Sequence, residues 1–163
     1  MTILERLPRG GPQPQRLYKW KADFAAGGPS IDIQSNLIES VGLPLPNNQA
    51  EAFHTNGTNL YFPNFVDIAI TTIDFYEIED GRVLKQITKW RNLVQDKNGF
   101  FGYPASFKKN LSCQLLTSDN KIHTSMKLVG IWPTTTSPPR LSYTEGNKLI
   151  ISQDFSVDGF EIE

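Results

Sequence analysis

The sequence predicts a mainly β protein, a β-sandwich or barrel with one flanking α-helix. Three observations carry that expectation. Most of the chain falls into stretches of period-2 alternation bounded by Gly, Pro and Asn; one stretch alone has helical periodicity; and no internal repeat of roughly 20–50 residues is visible. Strands with a single helix inserted midway bury their apolar faces in a sandwich or barrel that carries the helix on its flank.

In chain order, residues 1–16 hold Pro8, Pro12, Pro14, Gly10 and Gly11 with little apolar content, which predicts an extended basic arm. From Leu17 to Phe24, Tyr18, Trp20, Ala22 and Phe24 alternate with Leu17, Lys19, Lys21 and Asp23, an aromatic-faced strand. Gly27-Gly28-Pro29 turns the chain into a second strand, Ile31 to Val41, which Gly42-Leu43-Pro44 ends. A polar loop or long hairpin then runs to Tyr61, and Asn56-Gly57 is its turn signal. Phe65 to Tyr76 alternates with apolar groups on both faces, as a strand covered on both sides does.

The helix is predicted over Gly81 to Lys97. Asp80 is its cap, Val83, Ile87, Trp90 and Val94 form one stripe, and Asn98-Gly99 supplies the stop. After the aromatic loop Phe100-Phe101-Gly102-Tyr103-Pro104 come strands over Phe107 to Thr117, Lys121 to Ile131 and Lys148 to Ile162. Pro133 has no N–H and pushes Trp132 out of helical geometry, so the strand before it is expected to stop there with the indole against the sheet. Trp20, Trp90 and Trp132 are the expected core anchors.

At 163 residues the chain has the length of one domain, here residues 17–163, and 39% hydrophobic content excludes disorder for most of it. The single cysteine, Cys113, forms no internal disulfide and suits cytosolic folding; it shares a strand face with Leu111 and Leu115, the setting of an inert buried thiol. No run approaches the roughly 18 apolar residues of a membrane span, and the N-terminus lacks the apolar core of a leader, so a soluble protein with no membrane partner is expected. Asn56-Gly57-Thr58 and Asn110-Leu111-Ser112 match the glycosylation pattern, read here as turn chemistry and as coincidence.

A net charge of −1 argues against general nucleic-acid binding. Its distribution is uneven. Residues 1–21 and 82–97 each carry +4, residues 67–80 carry −5, and residues 145–163 carry −4. Such blocks are either solvated faces or surfaces by which copies meet head to tail.

Catalytic signals are missing. His54 lies beside turn residues and His123 shares a face with Ser125 and Lys127, neither with a partner at metal-ligand spacing. Asp154 and Asp158 on one strand stand roughly 13 Å apart, beyond the roughly 5–9.5 Å that glycoside hydrolysis uses. No enzyme activity, metal or cofactor is expected.

The ordered set of the aromatic strand Leu17 to Phe24, the Gly42-Leu43-Pro44 turn, the helix with Trp90 in its second half, Phe107-Lys108-Lys109, Gly130-Ile131-Trp132-Pro133-Thr134 and the closing strand Asn147 to Glu161 resembles the tail tube proteins of contractile-tailed bacteriophages, which are related to type VI secretion tube proteins. The resemblance spans residues 17–163. It implies a barrel of phage tail tube type that forms hexameric rings stacked into a hollow tube, a homo-oligomer in the virion tail, assembled in the host cytoplasm. Sheath, baseplate and tail terminator proteins would be its partners, and genomic DNA would pass the lumen without specific binding. On that reading Ser152, Asp154, Ser156 and Asp158 are lumen-facing candidates. Asn47, Asn48, Glu51, His54, Asn56 and Gly57 are inter-ring candidates, and Arg6, Arg9 and Arg16 are arm contacts. The Pro- and Arg-rich arm departs from the family pattern, leaving a tube initiator or terminal ring, or a type VI secretion tube protein, as alternatives to the repeating subunit. A particle-associated carbohydrate-binding or processing protein using Tyr61, Phe100, Phe101 or Tyr103 is the alternative of another class.

Overall fold

The computed structural model describes residues 18–68, 70–136, 141, 146 and 148–163, with backbone alone at 65–68 and 136. One long strand organises it. β7 (Ile122–Thr136) runs for 15 residues, and its two halves belong to different sheets. Its first half pairs antiparallel with β6 (Lys109–Leu116) on one side and β9 (Gly159–Ile162) on the other. Its second half pairs with β8 (Ile150–Ser156), Trp132 opposite Ser156 and Pro133 opposite Phe155. β1 (Trp20–Phe24) extends the first sheet beyond β6; β5 (Thr71–Tyr76) and β2 (Ile38–Val41) extend the second beyond β8.

Gly130 makes the bend. Its φ of +65° lies in the left-handed region that costs other L-residues about 1–2 kcal/mol. The Gly130 N–H donates to the Asn110 side-chain oxygen at 2.9 Å, and a Cβ here would run into the Asp158 carboxylate. The expectation that Pro133 stops the strand is therefore corrected. Past Ile131 the strand has β8 as its one neighbour among the described residues, and an edge strand tolerates a residue with no N–H. The matching bend on the partner strand divides the expected Lys148 to Ile162 strand into β8 and β9, with the Asp158 N–H donating to Val129 O at 3.0 Å between them.

The inner faces of both sheets meet in one cluster. Ala22, Leu111, Cys113, Met126 and Leu128 come from the first sheet, and Ile38, Ile73, Phe75, Ile151 and Phe155 from the second. α1 (Arg82–Val94) covers it with Val83, Ile87 and Trp90. Trp90 is 0% exposed and joins the layers: its ring lies 5.7 Å from Phe24 of β1 and 5.4 Å from Phe155 of β8. Its indole N–H donates to Phe107 O at 2.6 Å. Trp20 and Trp132 are half-buried against the same core, Trp132 edge-on to Phe107 of the short helix α2 (Pro104–Phe107) at 5.7 Å.

Four expected boundaries change. α1 starts at Arg82 with Gly81 at the cap position; of the first helical N–H groups the Asp80 carboxylate accepts that of Arg82, while the Glu77 carboxylate takes those of Val83 and Leu84 at 3.0 and 2.8 Å. The helix ends at Val94, because the Asp96 carboxylate captures the N–H groups of Asn98 and Phe100 and holds 96–100 in its own turn. Between Ile31 and Val41 only Ile38–Val41 is strand; Ile31 and Ile33 are buried in extended chain, and Ser35–Leu37 form a 3-10 turn. The first strand itself begins at Trp20.

Candidate functional site

Of the two readings of the segment from Leu43 to Tyr61, polar loop or long hairpin, the structure shows the hairpin, a β-ribbon. β3 (Pro46–Thr55) and β4 (Thr58–Ile68) pair with each other in a two-stranded sheet of their own. Asn56 and Gly57 at φ 45° and 78° form the two-residue turn, the mirror-image geometry that matches strand twist. The expected strand Phe65 to Tyr76 is thus divided: its first part returns the ribbon and its second part is β5. Every residue from 46 to 64 is exposed. Glu51 opposite Phe62 and Phe53 opposite Leu60 share one ribbon face, where the Phe53 and Phe62 rings meet edge-on at 5.5 Å. Asn47, Asn48, Glu51 and His54 all lie on β3, and His54 meets Asn59 across the ribbon at 2.5 Å. The apolar trio Phe53, Leu60 and Phe62 was not singled out from sequence, although its alternation about Asn56-Gly57 was available there.

A second surface is the outer face of β2, β5 and β8. Ser40, Asp74 and Ser152 stand in register on three adjacent strands, and Asp74 accepts from both hydroxyls, at 2.7 and 2.5 Å. Beside them Thr72 donates to Asp154 at 2.6 Å. Directly opposed cross-strand pairs of this kind stabilise a sheet by roughly 0.2–1 kcal/mol each. Ser152, Asp154 and Ser156 belong to this half-exposed polar face. Asp158 lies past it in the bend, where its carboxylate takes the Lys108 ammonium at 2.6 Å.

Part of the segregated charge is answered within the chain. Glu77 and Asp80, from the acidic block, sit at the N-terminus of α1, where the helix dipole favours them, and Asp80 pairs with Arg82 at 3.2 Å. α1 itself carries Arg82, Lys85, Lys89 and Arg91 and no acid. Lys127 and Glu161 approach to 3.8 Å across β7 and β9. Arg6, Arg9 and Arg16 lie outside the described residues.

The sheets end in open edges. Among the described residues β1 and β9 bound the first sheet and β2 the second, each paired on one side alone. β9 and the residue after it bring Glu161 and Glu163, whereas Lys19 and Lys21 accompany β1. Between α1 and the second half of β7 runs an aromatic groove of about 460 Å³, with Phe107 and Trp132 at its floor, Phe101 and Val94 at its side and Arg91 on its rim.

Little reaction chemistry is assembled. No group of three or more His, Cys, Asp or Glu among the described residues is placed to hold a metal ion. Burial pushes the Cys113 thiol up to about 11. Lys109, 5% exposed, donates to Gly27 O and Pro29 O at 3.0 and 2.9 Å, and desolvation lowers its pKa.

No protein family and no curated protein matches the sequence. Solved structures do match in fold. A chain of the sheath–tube complex of an extracellular contractile injection system, PVC, aligns at a TM-score of 0.69 and 13% identity over 92% of this chain and 91% of its own. A chain of the anti-feeding prophage tube-terminating cap aligns at 0.74 and 13% identity over 100% and 99%. Hcp1 from Flavobacterium johnsoniae aligns at 0.51 and 10% identity over 89% and 94%. The fold is that of contractile injection tube and terminator proteins and of Hcp, the tube type to which the sequence pointed.

Proposed function

We propose that this chain is a structural, non-enzymatic subunit of the inner tube of a contractile phage tail or a related injection particle, forming hexameric rings that stack into a hollow conduit. The single observation that carries this reading is the fold shared with tube and terminator chains over nearly the whole length of both partners. Open strand edges support it, since a ring covers them by continuing a sheet from copy to copy. The acidic β9 end and the Lys-bearing β1 end belong to one sheet, so unlike charges meet in head-to-tail contact.

In the ring, the polar face of β8 with Ser152, Asp154 and Ser156 lines the lumen, and Asp158 borders it. Ser152 donates to Asp74 and Asp154 accepts from Thr72, which leaves a wall with little for a polyanion such as genomic DNA to grip. The ribbon reaches the adjacent ring. The arm, with Arg6, Arg9 and Arg16, contacts acidic surfaces of the sheath, baseplate or neighbouring ring. A terminal ring is the second reading, favoured by the alignment with a chain of the tube-terminating cap.

Negative-stain imaging of the purified full chain over a range of salt concentrations tests the proposal. Stacked rings or tubes that dissociate as salt rises are expected, and deletion of residues 47–58 should leave a folded monomer that does not stack. A monomer at every salt concentration refutes the reading.

A further inference from the structure

We infer that the apolar face of the ribbon docks in the aromatic groove between α1 and β7 of a second copy of this chain, an inference that rests on the tube reading. An isolated two-stranded ribbon is at best marginally stable in water, and this one presents Phe53, Leu60 and Phe62 at 50%, 46% and 51% exposure. Three large apolar side chains on one face of a projecting ribbon form the kind of patch that marks an interaction site. Its cover has to be concave, apolar at the centre and polar at the rim.

The groove has that form. Trp132 and Phe107 make its floor, Phe101 stands 78% exposed at its side, and Arg91 lies on its rim. Aromatic anchors inside a polar rim are the composition of an interface hot spot. Charge selects the occupant. Glu51 shares the ribbon face with Phe53 and Phe62 and is the one charged residue between 46 and 64, while the charged residue that lines the groove is the cation Arg91. An acidic apolar ribbon and a basic apolar groove are therefore unlike surfaces of one polypeptide. Each copy offers one of each, so the contact is heterologous and propagates copy after copy rather than closing on itself as a two-fold pair does.

The test is a disulfide trap in the full chain with Cys113→Ser. Two double variants, Phe53→Cys with Phe101→Cys and Phe62→Cys with Phe101→Cys, are oxidised after assembly and run under non-reducing conditions. At least one is expected to give a ladder of dimer, trimer and higher species that reductant collapses, because a disulfide needs Cα atoms within about 7 Å. In parallel, Phe53→Asp, a change at an exposed position, should weaken stacking by more than about tenfold while the monomer melts unchanged. Assembled tubes with no ladder from either pair, together with normal stacking of Phe53→Asp, overturn the groove assignment and leave the tube reading standing; that same result is what a ribbon made for another kind of protein would give. Wild-type chain that never assembles overturns both.

Discussion

Replacing Gly130 by alanine tests how the two sheets are joined. Two separable costs are expected. The first is conformational: an L-residue at φ +65° costs about 1–2 kcal/mol relative to glycine. The second is steric, because the new methyl group meets the Asp158 carboxylate and displaces it from Lys108, whose ammonium it holds at 2.6 Å. That pair is half-exposed, so its loss adds about 0.2–1 kcal/mol. Together Gly130→Ala should destabilise by about 1–3 kcal/mol, a fall in Tm on the order of 3–10 °C for a chain of this length. Thermal and urea unfolding of Gly130→Ala, Asp158→Ala and the double variant separate the parts. In the Asp158→Ala background the glycine substitution should cost only the conformational part. An unchanged Tm for Gly130→Ala refutes the account of the bend, and an undiminished cost in the double variant refutes the role given to Asp158.

Three further outcomes follow from buried groups. Trp90→Phe should cost about 1–3 kcal/mol in urea unfolding, since Phe107 O loses its donor inside the core. Lys109 has a folded pKa below its unfolded value of 10.5, so the unfolded chain binds the proton more tightly and stability gains from this site as pH rises toward 10.5. Lys109→Met should remove that gain, seen as a wild-type-minus-variant difference in Tm that grows between pH 8 and about 10.5. Cys113, with its thiol pushed up to about 11, should react slowly with a thiol-specific disulfide reagent at pH 8 and at once in denaturant.

Much of the fold is legible in the sequence because half-buried strands write their burial directly as alternation. Thr71, Ile73 and Phe75 are buried and Thr72 is exposed, as the period requires. What period 2 does not encode is membership. The alternation from Phe65 to Tyr76 runs unbroken across two sheets, since both parts are strands and only their partners differ. The same blindness hid the passage of β7 through Pro133: the missing N–H reads as a stop, and only the presence of β8 on one side makes it harmless. Helix ends were misplaced by competition between side chains, with Glu77, six residues before Val83, outdoing the nearer Asp80. In the ribbon, Asn56-Gly57 writes the turn of a hairpin directly into the sequence, whereas its apolar face depends on the register that puts Phe53, Leu60 and Phe62 on one side.

The continuous backbone through Gly130 also governs how the molecule comes apart. A sandwich whose layers are linked by loops can shed one layer while the other persists. Here the residues that close the first layer and those that close the second are covalent neighbours, as Ile131, opposite Lys109, and Trp132, opposite Ser156, are, and both pack in the same core. Loss of either layer pulls directly on the other, so amide exchange from β6 and from β8 should converge on one opening free energy, and the body should yield as a unit.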